Sequence, residues 1–256
     1  MSDHILTHAD GGVLRLTINR PEKKNALTVA MYAALAEAFQ RAEGDPSVRV
    51  VLLHGAGDAF TAGNDLMDFA ANPPADGSSP VFQFLTAIST ATKPVVAAVH
   101  GPAIGIGTTL LLHCDLVYAT PDARLQMPFT TLGLCPEAAS SYLLPLVVGP
   151  QRAAELLLLG DPFTGEQAHA WGLVNELLTE GDLLNRATAQ SEAIAARPPA
   201  SIRLTKQFLR RRDADAVQAT IRDEAEAFLE RLQSPEAAEA FTAFFEKRTP
   251  DFSSFN

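Results

Sequence analysis

The stretch Val95-Val96-Ala97-Ala98-Val99, closed by His100-Gly101-Pro102, decides the fold class of this chain. An unbroken apolar run with β-branched residues has no polar face, so it suits a strand buried on both sides, as in a parallel sheet covered by helices. Upstream, Val48 to Leu53 (VRVVLL) makes a second apolar run and ends in His54-Gly55-Ala56-Gly57. Further upstream, Val13 to Asn19 (VLRLTIN) alternates apolar and polar residues with the period of a strand, until Arg20-Pro21-Glu22 breaks it. Between these runs, Thr28 stands where a helix cap is expected, ahead of Met31, Leu35, Ala38 and Phe39 at helical spacing. The two apolar runs each lead through a Gly-bearing turn into a helical stretch. Strands alternating with helices over the first two thirds predict an α/β fold.

Outward from this core the character changes. Asn72 to Pro80 (NPPADGSSP) concentrates Pro, Gly, Ser and Asp and predicts a mobile surface loop, too short to separate domains. From about Gly165, apart from Leu173 to Leu178, the pattern is helical. Val217, Ile221, Ala225, Phe228 and Leu232 form one apolar stripe. Ser234-Pro235-Glu236 supplies a cap, a first-turn Pro and a first-turn acid for a last helix carrying Phe241, Phe244 and Phe245.

At 256 residues the chain suits one large domain with an appendage, given a typical ~150 residues per domain. With 30 acidic against 20 basic residues, the net charge of -10 opposes non-specific attraction to nucleic acid or anionic membranes. Only Cys114 and Cys135 are present, which is no disulfide framework and no metal knuckle. Residues 2 to 12 lack a secretory pattern and the chain ends in SSFN rather than an SKL-type address, so a cytoplasmic location is expected. The uncharged stretch Pro94 to Cys114 is long enough to span a bilayer, but Gly101, Pro102, Gly105 and Gly107 interrupt it. It reads as strand, turn and helix, and no membrane span is expected.

Gly105-Ile106-Gly107 continues as Thr108-Thr109-Leu110, so the third glycine of a dinucleotide-binding loop is missing. No Gly-Lys-Ser/Thr loop, no Gly-x-Ser-x-Gly elbow and no HExxH spacing occurs, which sets aside nucleotide hydrolysis, serine hydrolysis and zinc chemistry. Two turns remain, Phe60 to Leu66 (FTAGNDL) and Gly101 to Gly107 (GPAIGIG), each following a buried strand. Small residues there let a ligand approach backbone amides, so two N–H groups can converge on one oxygen; the same glycines also serve simply to make tight turns. In Leu134-Cys135-Pro136-Glu137-Ala138-Ala139, Glu137 fits an ordinary first-turn helix acid. Its apolar neighbours also fit a general base.

The segments Asn19-Arg20-Pro21-Glu22-Lys23-Lys24-Asn25-Ala26-Leu27, Phe60 to Asp65, and Ala98 to Gly105, followed by the helical tail, resemble the crotonase superfamily (enoyl-CoA hydratase/isomerase). The likeness runs from about Val13 to Lys247. It is most similar to the peroxisomal-type 3,2-enoyl-CoA isomerases, through Gly63-Asn64-Asp65-Leu66 and Met127-Pro128-Phe129-Thr130-Thr131-Leu132-Gly133 leading to Pro136 through Tyr142. The resemblance implies a spiral of ββα units over residues 1–195 and a C-terminal helical trimerisation region over 196–256. An acyl-CoA thioester would be the substrate and no cofactor beyond its CoA would be needed. A homotrimer, or a dimer of trimers, is expected.

Carried over position by position, the resemblance makes Glu137 the proton shuttle of a 3,2-trans-enoyl-CoA isomerase. The backbone N–H groups of Asn64 and Ile106 become the oxyanion hole. Ala62, Gly63, Asp65, Leu66, Gly105, Phe129 and Leu132 would line the substrate path, and Lys23, Lys24 and a neighbouring subunit's copy of Lys247 would meet the CoA phosphates. Phe82, Phe84 and Leu85 join Phe129 and Leu132 as acyl-tunnel candidates, or are plain core. Hydrating relatives use two Glu carboxylates; those positions hold Thr109 and Phe129 here, which demotes enoyl-CoA hydratase to the alternative. A non-catalytic acyl-CoA-binding module is the other alternative.

Overall fold

Val50 and Leu52 face one side of their strand and Val51 and Leu53 the other, and both sides are buried. The structure, a computed structural model, describes residues 3–255. Its first half comprises β1 (Ile5–Asp10), β2 (Val13–Ile18), α1 (Val29–Gly44), β3 (Val50–Gly55), α2 (Leu66–Ala71) and α3 (Pro80–Ser89). It continues through β4 (Val95–Val99), β5 (Pro102–Ile104), α4 (Ile106–Thr109), β6 (Leu116–Ala119) and β7 (Arg124–Gln126). Then come α5 (Ser140–Val148), α6 (Pro150–Leu159), β8 (Phe163–Thr164), α7 (Gly165–Ala170) and β9 (Glu176–Leu177). The chain closes with α8 (Glu180–Ala195), α9 (Pro199–Arg210), α10 (Ala214–Leu232) and α11 (Pro235–Glu246).

Six strands form one sheet in the order β1-β2-β3-β4-β6-β9, parallel except for the β1–β2 pair. A smaller sheet has the order β5-β7-β8. The chain visits the two in turn: β4 joins the large sheet and β5 the small one, then β6 and β7 do the same. After β3, Thr61 makes a bridge to Ala103 of β5. This ββα winding is the α/β spiral expected from the sequence.

Period-two alternation sorts the sheet residues onto two faces. Val50, Leu52, Val96, Ala98 and Tyr118 pack against Leu183, Ala187 and Ala195 of α8. Val51, Leu53, Val95, Ala97 and Val99 belong to the main core with α1 and α3. There Phe84 lies 5.8 Å from Tyr32 and 5.9 Å from Phe39 between ring centroids, so its loss to Ala would cost about 3–5 kcal/mol. Thr28 caps α1 by accepting from the Met31 amide, and Ser234 caps α11 by accepting from that of Ala237, as the sequence predicts.

The stretch Pro94–Cys114 folds as β4, β5, α4 and a 3₁₀ turn, and among the described residues no helix is long and apolar enough to cross a membrane. Two features differ from the sequence reading. Strand β1 escaped it because only Ile5 is buried there, leaving no apolar period to see. The segment from Asn72 to Ser79 is not all surface, since Pro74 in its middle is buried.

Candidate functional site

The two strand-ending turns are hydrogen-bonded to each other. Thr61 N–H donates to Pro102 O at 2.9 Å and Ile104 N–H donates back to Thr61 O at 3.0 Å. The buried Asn25 side chain ties down the first turn, donating to Ala56 O at 2.8 Å and Ala59 O at 2.6 Å, while the Thr61 hydroxyl donates to Asn25 O at 2.7 Å. Gly63 has φ +86, and a Cβ there would stand 2.8 Å from Ile104 O, so only glycine lets the turns lie this close. The flanking amides are used within the protein: Gly63 N–H reaches Thr61 Oγ1, Asp65 N–H reaches Leu27 O, and Gly105 N–H reaches Gln126 O. Among the described residues, the Asn64 and Ile106 N–H groups have no protein acceptor.

Glu137 is buried. It is no first-turn helix acid, because α5 starts only at Ser140, after Ala138 and Ala139 turn through left-handed φ values of +59 and +54. That turn is held from two sides. Glu224 of α10 accepts from Ala139 N–H at 2.6 Å, Ser141 N–H at 3.0 Å and the Ser141 hydroxyl at 2.6 Å. His113 Nε2 pairs with Ala138 O at 2.7 Å; since a carbonyl only accepts, that nitrogen carries the proton. Burial pushes the His113 imidazole down to about 4, so it stays neutral.

The Glu137 carboxylate has no hydrogen-bond partner among the described residues and faces a cavity of about 10 Å³. Phe69, Val81, Phe82, Leu85, Ile221 and Phe228 supply most of its apolar wall, and Pro74 and Glu224 also line it. Burial first, and the nearby Glu224 charge second, push the Glu137 carboxyl up to about 8. A carboxyl in that range both takes and returns protons near neutral pH. The buried Tyr32 hydroxyl donates to Asn64 Oδ1 at 2.5 Å, and its proton is held by burial and by the charge of Glu137.

The other residues singled out from the sequence separate into groups. Lys23 and Lys24 are exposed on the loop whose Lys24 carbonyl accepts from Ala62 N–H. Asp65 is engaged within the protein: one oxygen pairs with Arg20 at 2.7 Å and the other caps α2. Leu66 is half-buried at the start of α2. Of the acyl-tunnel candidates, Phe82 and Leu85 line the Glu137 cavity, Phe84 is core, and Phe129 and Leu132 lie outside the cavity wall. Lys247 is exposed at the end of α11. Thr109 and Phe129, the positions where hydrating relatives carry Glu, are both buried.

Sequence reasoning missed Tyr32 and Glu224 at this site. For Glu224 a signal was present: it lies on the face of the stripe Val217, Ile221, Ala225 and Phe228, an acid where a helix should be apolar.

The enoyl-CoA hydratase/isomerase family model matches residues 8–255. The chain is 36% identical over 256 residues to enoyl-CoA delta isomerase 2 of Rattus norvegicus, covering 96% of this chain and 64% of that relative, so it spans less than two thirds of the relative's length. It is equally 36% identical to the 1,2-epoxyphenylacetyl-CoA isomerase of Escherichia coli K12, over 98% of this chain and 99% of the relative. A crystal structure of an enoyl-CoA hydratase/isomerase from Pseudoalteromonas atlantica T6c superposes with a TM-score of 0.93 at 45% identity, covering 98% of this chain and 100% of that one.

Proposed function

The chain belongs to the enoyl-CoA hydratase/isomerase family, and we propose that within it this protein is a 3,2-trans-enoyl-CoA isomerase. The observation that carries the reading is Glu137, a buried carboxyl with no hydrogen-bond partner among the described residues, in a chain whose two linked turns leave the Asn64 and Ile106 amides without a protein acceptor. In this reaction Glu137 takes a proton from C2 of a 3-enoyl-CoA. Electron density moves toward the thioester oxygen, where the Asn64 and Ile106 N–H groups receive it; one such donor is worth about 10²–10³ in kcat. The double bond shifts to C2–C3 as Glu137 returns the proton at C4. One carboxylate serves both transfers, and no cofactor beyond the CoA of the substrate is required.

Thr109 and Phe129 support isomerisation over hydration, because neither side chain can deprotonate a water. A cavity of about 10 Å³ has room for about one water, so an acyl chain enters only as the lining side chains rotate. The CoA phosphates need local cations on a chain of net charge -10, and Lys23 and Lys24 stand beside the first turn. Phe244 and Phe245, 57% and 48% exposed on α11, fit a contact between subunits of a trimer, where Lys247 of one subunit would approach the phosphates bound by another.

Mass spectrometry of a 3-enoyl-CoA incubation tests the reading. Isomerisation conserves mass and yields the 2-enoyl thioester. A gain of one water identifies a hydratase, and unchanged 3-enoyl-CoA a binding module; either result overturns the proposal.

A further inference from the structure

We propose that Glu224 is a positioning residue for Glu137, anchoring through its carboxylate the left-handed turn that aims Glu137 into the cavity and setting a second negative charge against the same cavity. The role follows from geometry. Two consecutive non-glycine residues in the left-handed region, Ala138 and Ala139, are a strained way to enter a helix, and such strain persists only where surroundings over-determine it. Here three donors, Ala139 N–H, Ser141 N–H and the Ser141 hydroxyl, converge on Glu224, and the Ala138 carbonyl is held by His113. Donors on both oxygens are the arrangement of an ionised carboxylate. A buried ionised acid on an apolar helix face is otherwise costly, which makes a purely packing role an unfavourable explanation.

The groups facing the pair come from every element around it. Tyr32 of α1 is kept protonated by burial, His113 after α4 stays neutral, and Cys135 on the loop before Glu137 is pushed up to about 11. Arg231 of α10 donates to Gly133 O at 3.2 Å and pairs with Glu236 at 2.7 Å. Lining side chains from α2 and α3, such as Phe69, Val81 and Phe82, do not titrate. Between about pH 5 and 9, changes in charge at this cavity are therefore those of Glu137 and Glu224.

The inference rests on the isomerase reading only for its kinetic arm. The carboxyl stretch of Glu137, isolated by subtracting the infrared spectrum of Glu137→Gln, is titrated in wild type and in Glu224→Gln. With Glu224 neutral, the Glu137 midpoint should fall by on the order of one pH unit. The acidic limb of kcat/KM should fall with it, the high-pH plateau of kcat should drop roughly tenfold as the turn loosens, and KM should change little. Glu224→Asp retains the charge with a shorter reach, so it should lower the plateau and leave the limb in place. If Glu224→Gln does not fold, Glu224→Asp decides alone, since a kcat plateau equal to that of wild type would show that the reach of the Glu224 carboxylate to the turn does not matter. An unmoved Glu137 midpoint in Glu224→Gln, a Glu224→Gln enzyme with wild-type plateau and limb, or a Glu224→Asp enzyme with wild-type plateau overturns the proposal. Absence of isomerase turnover in wild type refutes the functional reading and leaves the infrared arm to judge Glu224.

Discussion

Replacing Glu137 by Gln should slow the reaction and stabilise the protein at alkaline pH, because the same burial that makes the carboxyl a base makes its charge expensive to hold. Moving a carboxyl from its ordinary 4.5 to about 8 corresponds to on the order of 5 kcal/mol between the protonated and ionised folded protein. The folded value lies above the unfolded one, so this contribution is intact below about pH 4.5, declines as pH rises, and is lost above about pH 8. Glu137→Gln keeps the shape and carries no charge, so its stability lacks this decline. Urea unfolding at pH 5, 7 and 9, at equal protein concentrations, should give similar values for the two proteins at pH 5 and an advantage of several kcal/mol for the variant at pH 9. In parallel, kcat should fall roughly 10²-fold or more while substrate binding changes little. In wild type, kcat/KM should rise with pH and level off above about 8. Stability curves that stay parallel from pH 5 to 9 would refute the claim that the charge is buried. Near-normal turnover of Glu137→Gln would refute its role as the proton shuttle.

Gly63→Ala places a Cβ 2.8 Å from Ile104 O at a φ of +86, so it should separate the two turns and lower kcat by about 10² with the fold retained by circular dichroism; an unchanged kcat would show that the Asn64 amide does no work in the reaction. Lys23→Ala/Lys24→Ala should raise KM and flatten its dependence on salt, and a KM that tracks wild type across ionic strength would remove both lysines from the phosphate site. Sedimentation equilibrium at micromolar concentration should give about three or six times the chain mass, and Phe244→Asp/Phe245→Asp should lower the assembled fraction; a wild-type mass near one chain would refute the oligomer.

The large sheet was legible because its strands are buried on both faces, and burial of that kind writes unbroken apolar runs such as Val95 to Val99 into the sequence. Strand β1 was not, since it lies at the sheet edge with one buried residue and gains its place by pairing Ile5 with Ile18, a contact with no local signature. The aromatic tail was half legible: Phe228 packs back against Phe69 at 6.2 Å between centroids, whereas Phe244 and Phe245 are left exposed, and the sequence distinguishes neither case.

The site follows the same rule at higher stakes. Glu137 was visible as an acid among apolar neighbours, but whether it sits on a solvated helix or in a closed cavity depends on α3 and α10, which lie far away along the chain. Glu224 is 87 positions further on and bonds to the turn that carries Glu137, so the helices read as an appendage also hold that turn and wall its cavity. The stripe from Val217 to Phe228 is the place where the sequence came closest to disclosing this. An acid interrupting an apolar face must be either exposed or paired with donors from elsewhere, and at 8% exposure Glu224 is the second case. The interruption in the pattern, rather than the pattern itself, marked where the C-terminal helices meet the turn that carries Glu137.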